Sequence, residues 1–257
     1  MGQTLLGKRA LVTGAGRGIG RAVAVGLAAE GADLVLVSRT RSELDETAAL
    51  VSTSAQVIAA DLGDLAQVAA VAEQAGAIDV LVNNAAVPWP MGPTAEQDPA
   101  EFAATFAVNV TAVVALTIGL LPGMLARGWG RVVNLSSGAA QVPDFLIGGN
   151  AYTTSKTAVE GHTVNLAAEL AGTGVTVNVY RPGTVDTSMM TWVRDQGGDY
   201  IDDRAEEYFA QMKERGDLLT PKQAADFLLA QLPSEDNGRI WHADDGVINR
   251  LAEEDDE

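Results

Sequence analysis

The chain has 257 residues, of which 47% are apolar and 20% charged, and this favours one large α/β domain over a disordered or fibrous chain. The formal net charge is −17, so the surface repels phosphate backbones and nucleic-acid binding is not expected. Cysteine is absent and histidine occurs only at His162 and His242, far apart in sequence, which excludes thiolate zinc sites and argues against a metal site built from imidazoles, so no metal is expected.

The sequence also bears on location. Residues 1–8 lack a basic region followed by a long apolar stretch, so no secretory signal is expected. No uninterrupted apolar run of about 18 residues occurs, so no membrane span is expected either. Together with the lack of cysteine, these features predict a cytoplasmic protein. Residues 251–257 are rich in Asp and Glu and predict a solvated acidic tail.

Short apolar runs alternate with helical periodicity along the chain. Most runs are continuously apolar, which is typical of parallel strands covered on both faces. The predicted strands are Ala10–Val12, Leu34–Val37, Val57–Ala60, Val80–Val82, Val132–Leu135, Val175–Val179 and a final apolar run, Arg239–His242. Helical patterns occupy 19–30, 41–50, 64–75, 99–127, 151–172, 204–215 and 221–231, whereas 187–204 is mixed. Repeated strand–helix–strand units predict a doubly wound parallel sheet of about seven strands, in a single domain over 1–250.

A glycine-rich segment, Thr13–Gly20, follows the first strand and opens the first helix. Glycines at such a turn let the backbone approach a pyrophosphate, and the N-terminus of the helix attracts the anion. The spacing of Gly14, Gly18 and Gly20 is G-x-x-x-G-x-G rather than G-x-G-x-x-G, and lone glycine clusters also occur in ordinary turns. The position within a strand–helix–strand unit favours nucleotide binding.

The second predicted strand ends at Val37-Ser38-Arg39, without an acidic residue. An acid there would bind the ribose diol of NAD and repel a 2′-phosphate. Arg39 and Arg17 can instead flank that phosphate, with Ser38 as a hydrogen-bond donor, although both arginines are also compatible with a solvated surface. The sequence therefore predicts NADP(H) as the preferred cofactor and NAD(H) as the alternative.

Tyr152 and Lys156 lie four residues apart at the start of a predicted helix, which places them on one helix face about 6 Å apart. A neighbouring ammonium favours the phenolate, so a proton can move near neutral pH. Ser137 follows a predicted strand, at the sheet edge where ligands bind. A lone Tyr-x-x-x-Lys is common by chance, but this combination suits the interconversion of a carbonyl and an alcohol.

These residues resemble the short-chain dehydrogenase/reductase family over nearly the whole chain. The matching elements, in family order, are Thr13–Gly20, Asp61-Leu62, Asn83-Asn84-Ala85, Asn109, Ser137, Tyr152, Lys156 and 181–187. The resemblance implies a Rossmann-type α/β fold and an NAD(P)-dependent oxidoreductase. It also implies a homotetramer or homodimer built on the helices at 99–127 and 151–172.

The resemblance assigns roles to four catalytic residues. Tyr152 would be the general acid in reduction and the base in oxidation. Lys156 would lower the pKa of Tyr152 and bind the nicotinamide ribose. Ser137 would hold the substrate oxygen, and Asn109 would fix a helix kink and a water that relays protons to Lys156.

The implied cofactor contacts extend along the whole cleft. Besides Ser38, Arg39, Asn109, Tyr152 and Lys156, they are Gly14, Gly16, Arg17, Gly18, Ile19 and Gly20 in the loop, Asp61 and Leu62 at the adenine, Asn83 and Ala85 at the adenosine, and Pro182, Gly183, Val185 and Thr187 towards the nicotinamide.

Three segments, 87–91, 142–147 and 187–193, are expected to overhang the reacting end, the last within a substrate loop at about 187–216. Their apolar residues favour a small-molecule substrate, a hydrophobic or cyclic ketone or its alcohol, although the same residues can serve only to pack the loop. Two other functions stay open: an NAD-linked alcohol dehydrogenase working oxidatively, and a dinucleotide-sensing protein without catalysis.

Overall fold

The computed structural model describes residues 5–196 and 200–243, so the predicted acidic tail at 251–257 lies outside the described residues. Seven parallel strands form one sheet in the order β3-β2-β1-β4-β5-β6-β7. They are β1 Arg9–Thr13, β2 Asp33–Ser38, β3 Ala55–Ala59, β4 Val80–Asn83, β5 Gly130–Leu135, β6 Val175–Arg181 and β7 Ile240–His242. The predicted fold, a doubly wound parallel sheet of about seven strands flanked by helices, is confirmed.

The helices connect the strands in sequence. They are α1 Gly18–Ala29, α2 Arg41–Ala49, α3 Leu65–Ala75, α4 Pro99–Phe106, α5 Ala112–Arg127, α6 Asn150–Glu169, α7 Ser188–Gln196, α8 Asp203–Arg215 and α9 Pro221–Gln231. Sequence periodicity missed α7 because a nine-residue helix makes only about two and a half turns, and its two methionines are adjacent rather than spaced on a regular face.

Helices cover both faces of the sheet. Successive strand residues point to opposite faces, so Val12 packs in one core with α1, α2 and α9, while Leu11 packs in the other with α3, α5 and α6. Both side chains are fully buried. This two-sided burial explains why the strands are continuously apolar.

The predicted helix at 99–127 is interrupted. A π-helical turn over Ala107–Thr111 separates α4 from α5, and such turns locally distort a helix. Buried Asn109 lies in this turn, which agrees with the kink expected there. The Asn109 amide accepts a hydrogen bond from the Val87 backbone N–H at 2.9 Å and donates to the Val87 carbonyl, also at 2.9 Å.

The same stretch, Pro99–Arg127, is long and apolar enough to cross a membrane by length and composition alone, with a mean hydropathy of 2.0 in its most apolar window. In this fold 39% of that window is buried. Leu116, Leu120 and Met124 pack in the core beneath the sheet. Packing against the sheet therefore accounts for part of the apolar character of this segment.

Candidate active site

A cleft of about 250 Å³ runs along the carboxyl ends of the strands. The order of strands reverses here, because β1 pairs with both β2 and β4, and ligands bind at such switch points in open α/β sheets. The predicted cofactor residues that line the cleft are Gly14, Gly16, Arg17, Gly18, Ile19, Ser38, Arg39, Asp61, Leu62, Ala85, Tyr152, Lys156, Pro182 and Thr187.

The glycine loop is shaped by two close contacts. Gly14 has a φ of 64°, a conformation that favours glycine, and a Cβ there would stand 2.7 Å from the Asn84 amide nitrogen. A Cβ on Gly20 would stand 2.2 Å from the Gly14 carbonyl oxygen. Gly20 therefore closes the turn by packing against Gly14 rather than by lining the cleft.

The N-terminus of α1 is suited to an anion. Among the described residues no side chain caps this helix, and its first turn contains no acid. The backbone N–H groups at a helix start lack partners within the helix, and they carry the positive end of the helix dipole. Together with the small glycines, this arrangement fits the pyrophosphate of a dinucleotide.

The adenosine end of the cleft combines cations with a carboxylate that the sequence analysis did not predict, in addition to Asp61. Arg17, Ser38 and Arg39 line it as predicted, but so does Glu43 from the first turn of α2. A guanidinium nitrogen of Arg17 lies 3.6 Å from Glu43 Oε1. The sequence analysis missed Glu43 because it considered only the residues that end β2. An acidic residue in the first turn of the following helix could have indicated a carboxylate at this end of the cleft.

Asn83 and Asn84 have different surroundings. The buried Asn83 side chain donates to Asn134 Oδ1 at 2.8 Å, so it joins β4 to β5 and is not part of the cleft lining. Asn84 lines the cleft, and its amide donates to the Thr13 carbonyl at 2.9 Å. The Asn-Asn pair therefore holds the sheet edge and the glycine loop together.

The structure brings Ser137, Tyr152 and Lys156 together. Tyr152 and Lys156 lie one turn apart on α6, with Lys156 Nζ 5.7 Å from the centre of the Tyr152 ring and donating to the Leu135 carbonyl at 2.8 Å. The Ser137 hydroxyl lies near enough to the Tyr152 phenol to favour its ionised form and so to oppose a rise in its pKa. Ser137 Oγ also accepts from the Ala139 backbone N–H at 3.2 Å, which fixes its orientation.

Burial is the main influence on the pKa values of Lys156 and Tyr152. It lowers the pKa of Lys156 to about 8, against the opposing influence of the Glu160 charge. Burial also raises the pKa of Tyr152, against the opposing influence of the Ser137 hydroxyl. Desolvation of the phenolate is therefore the main influence on Tyr152, and the lowering of its pKa by Lys156 stays a prediction. The phenol is held in its acid form.

Asn109 lies behind these residues, with only 1% of its surface exposed. Its amide donates to Ser155 Oγ at 3.0 Å, and Ser155 Oγ donates to the Tyr152 carbonyl at 2.7 Å. Asn109 therefore links the π-helical turn to the first turn of α6. It supports the Tyr152 backbone and is not part of the cleft lining.

A second cavity of about 160 Å³ adjoins the cleft and shares Tyr152 with it. Ser137, Gly183 and Val185 line this cavity rather than the cleft. All three predicted overhanging segments contribute, and α8 adds Tyr208 and Phe209, which sequence analysis did not single out. The apolar lining residues are Ile19, Pro88, Met91, Ala139, Val142, Phe145, Leu146, Pro182, Val185, Met189, Met190, Val193 and Phe209.

The short chain dehydrogenase family model matches residues 8–197. The chain belongs to this family. It is therefore an NAD(P)-dependent oxidoreductase acting on CH–OH or C=O groups, as the sequence motifs predicted. The chain is 40% identical over 188 residues to L-xylulose reductase from Mesocricetus auratus, an alignment that covers 72% of this chain and 75% of the relative.

Two solved short-chain dehydrogenases have closely similar folds. A putative NAD(P) dependent gluconate 5-dehydrogenase from Beutenbergia cavernae, with bound NADP at low occupancy, is 34% identical with a TM-score of 0.82, and the match covers 98% of this chain and 100% of that one. The 3-ketoacyl-(acyl-carrier-protein) reductase from Brucella melitensis, complexed with NADH, is 30% identical with a TM-score of 0.81, covering 95% and 99%.

Proposed function

We propose that this short-chain dehydrogenase is an NADP(H)-preferring ketoreductase that interconverts an apolar, uncharged ketone and its secondary alcohol. The observation that carries the proposal is the position of Tyr152. It lines both the cleft and the second cavity, and Ser137 lines the second cavity with it. A substrate carbonyl in the second cavity can thus reach both hydroxyl groups.

Each catalytic residue has a definite task in this proposal. The bound nicotinamide supplies the hydride in reduction and accepts it in oxidation. The Tyr152 phenol gives its proton to the carbonyl oxygen in reduction, and the phenolate takes a proton from the alcohol in oxidation. Ser137 donates a hydrogen bond to that oxygen, and Lys156, held by the Leu135 carbonyl, stabilises the phenolate by its positive charge.

The preference for NADP(H) is supported by Arg17, Ser38 and Arg39 in the cleft lining. Two guanidinium groups and a hydroxyl suit a 2′-phosphate. The solved structures differ in their bound cofactor, since one contains NADP and another contains NADH. We therefore propose a preference rather than an exclusive use of NADP(H).

The substrate class is inferred from the second cavity. No charged side chain is among its described lining residues, and its polar side chains are the hydroxyl groups of Ser136, Ser137, Tyr152, Thr184, Thr187 and Tyr208. A sugar would leave buried hydroxyls without partners in the apolar part, which costs free energy. A hydrophobic or cyclic ketone fits better, although L-xylulose reductase is among the relatives.

We also propose a cytoplasmic homodimer or homotetramer that pairs through α4–α5 and α6. Ile118 and Leu125 on α5 and Val164 on α6 are exposed, at 67%, 40% and 50%. Exposed apolar side chains on neighbouring helices are typical of a self-association surface. Light scattering of the purified protein tests this, and a monomer at micromolar concentration would contradict it.

The function is tested first by nucleotide titration, followed by turnover. Nicotinamide fluorescence should show binding of NADPH, tighter than that of NADH, and wild type should then reduce hydrophobic cyclic ketones with NADPH. Tyr152→Phe should bind NADPH normally but lose about 10²–10⁴-fold in turnover, because the proton donor is gone. Faster alcohol oxidation with NAD would favour the oxidative dehydrogenase, and no binding of either nucleotide would favour a protein without this activity.

A further inference from the structure

Glu43 faces the nucleotide cleft through a contact with the glycine loop. A Cβ built on Gly16 would stand 2.9 Å from Glu43 Oε2 and 3.1 Å from Ser38 Oγ. The carboxylate and the hydroxyl therefore point at the same part of the loop. Glu43 is only partly exposed, with 30% of its side chain accessible, while its partner Arg17 is 65% exposed.

The backbone around Glu43 is firmly held. Its carbonyl accepts from the Arg21 guanidinium at 3.3 Å. The Thr47 hydroxyl lies 3.0 Å from the Glu43 carbonyl and 2.9 Å from the Ala15 carbonyl, so its one proton is shared between the two. These bonds hold the start of α2 against the glycine loop, so the backbone of Glu43 stays next to the cleft.

This carboxylate acts on the cation proposed to bind the 2′-phosphate. Arg17 is attracted to Glu43 Oε1 at 3.6 Å, and the pair must loosen before Arg17 can turn fully to a phosphate. The negative charge of Glu43 also repels that phosphate directly. A ribose with free 2′- and 3′-hydroxyls meets neither penalty and can donate a hydrogen bond to a carboxylate.

We propose that Glu43 is a specificity-determining residue for the dinucleotide, which weakens NADPH binding and so keeps NADH usable. The inference rests on the proposed function, because it requires that the cleft bind a nicotinamide dinucleotide. It assigns opposite effects to the two charges of one ion pair: Arg17 favours the phosphorylated cofactor and Glu43 disfavours it.

The test measures the dissociation constants of NADPH and NADH for wild type, Glu43→Gln and Glu43→Lys at low salt. Glu43→Gln should raise the ratio of the NADH constant to the NADPH constant about two- to fivefold, the effect of one exposed charge pair. Glu43→Lys should raise it further. Both increases should shrink at 0.5 M salt, because exposed charges are screened.

Asp45→Asn is the matched control. Asp45 lies on the same helix and pairs with Arg41 at 2.9 Å, but it is not part of the cleft lining, so its removal changes the net charge equally without changing the ratio. An unchanged ratio in Glu43→Gln and Glu43→Lys, or an equal increase in Asp45→Asn, would overturn the inference. If wild type bound neither nucleotide, the proposed function itself would fail, and the two failures are therefore distinguishable.

Discussion

Glu160 on α6 and Arg181 at the end of β6 form a two-pronged ion pair inside the protein. Arg181 donates to the two carboxylate oxygens of Glu160 at 2.8 and 2.7 Å. The side chain of Arg181 is only 9% exposed and that of Glu160 only 12%. Glu160 also accepts from Ser136 Oγ at 2.6 Å. Arg181 in turn donates to the Gln141 side chain at 2.6 Å.

This network lies directly behind the catalytic residues. Ser136 precedes Ser137 in the chain, and Glu160 follows Lys156 by one helical turn. The pair therefore fixes the end of β5 relative to α6, and its negative member raises the pKa of Lys156. Neither residue lines the cleft or the second cavity, so both are positioning residues rather than catalytic ones.

We predict different outcomes for two substitutions of Glu160. Glu160→Ala should lower the free energy of unfolding by about 3–5 kcal/mol, because Arg181 is left buried without its partner. Glu160→Gln keeps a hydrogen-bond acceptor and should fold, but loss of the charge should move the pKa of Lys156 below about 8. Urea unfolding measures the first effect, and the pH profile of kcat/KM measures the second.

The control for this prediction is Glu169→Gln, which removes an exposed carboxylate from the same helix. The charge of Glu169 acts on His162 rather than on Lys156, so the substitution should leave the Lys156-dependent part of the pH profile unchanged. A pH profile for Glu160→Gln that matched wild type would show that the buried pair has no electrostatic effect on Lys156.

We predict that the buried ammonium group of Lys156 lowers the free energy of unfolding, although the proposed reaction requires it. Burial depresses its pKa from 10.5 to about 8, so the charged form is disfavoured in the folded protein. Lys156→Met should therefore raise the free energy of unfolding at pH 7 by about 1–3 kcal/mol while turnover is lost.

The pH dependence of this stability difference follows from the sign of the shift. Between about pH 8 and 10.5 the folded protein has lost the Lys156 proton and the unfolded chain has not, so wild type gains stability with rising pH. The advantage of Lys156→Met should then narrow over this range in thermal unfolding. An advantage that is constant between pH 7 and pH 10 would contradict the depressed pKa.

Features that depend on residues close together in the sequence could be predicted, whereas features that depend on packing between distant elements could not. Strands such as Leu34–Val37 could be predicted because two-sided burial requires continuously apolar residues. Ser137, Tyr152 and Lys156 could be placed by spacing and family resemblance. The raised pKa of Tyr152 could not, because desolvation depends on packing from several elements. Glu43 could have been considered, because it lies in the first turn of the helix after β2, but its distance from Gly16 depends on the packing of α2 against the loop.

We predict that Arg39→Asp weakens NADPH binding about ten- to a hundredfold, because a charge-assisted hydrogen bond to the 2′-phosphate becomes a repulsion. Binding of NADH should be unchanged or tighter, since the new carboxylate can accept from the ribose diol. Nicotinamide fluorescence titration measures both constants. Arg41→Asp is the control, because Arg41 pairs with exposed Asp45. An equal loss for both nucleotides in Arg39→Asp would show that Arg39 does not bind the phosphate.

We predict that Phe145 sets the size of substrate that the second cavity accepts. Its ring packs edge-on against Tyr208 and Phe209 of α8, with ring centres 5.0 and 6.1 Å apart, and it lines the cavity. Phe145→Ala should remove this wall while keeping the Ser137, Tyr152 and Lys156 side chains, of which Tyr152 packs against the same apolar cluster as Phe145. The KM for compact cyclic ketones should rise, that for bulkier ketones should fall, and kcat should change little.

The same substitution should cost stability, because truncating a buried phenylalanine typically costs about 3–5 kcal/mol and Phe145 is 9% exposed. Phe102→Ala is the control, since Phe102 stacks on Phe106 within α4 and is not part of the cavity lining. It should leave the ranking of substrates unchanged. If Phe145→Ala lowered kcat equally for all ketones, whatever their size, the residue would support the catalytic geometry rather than select the substrate.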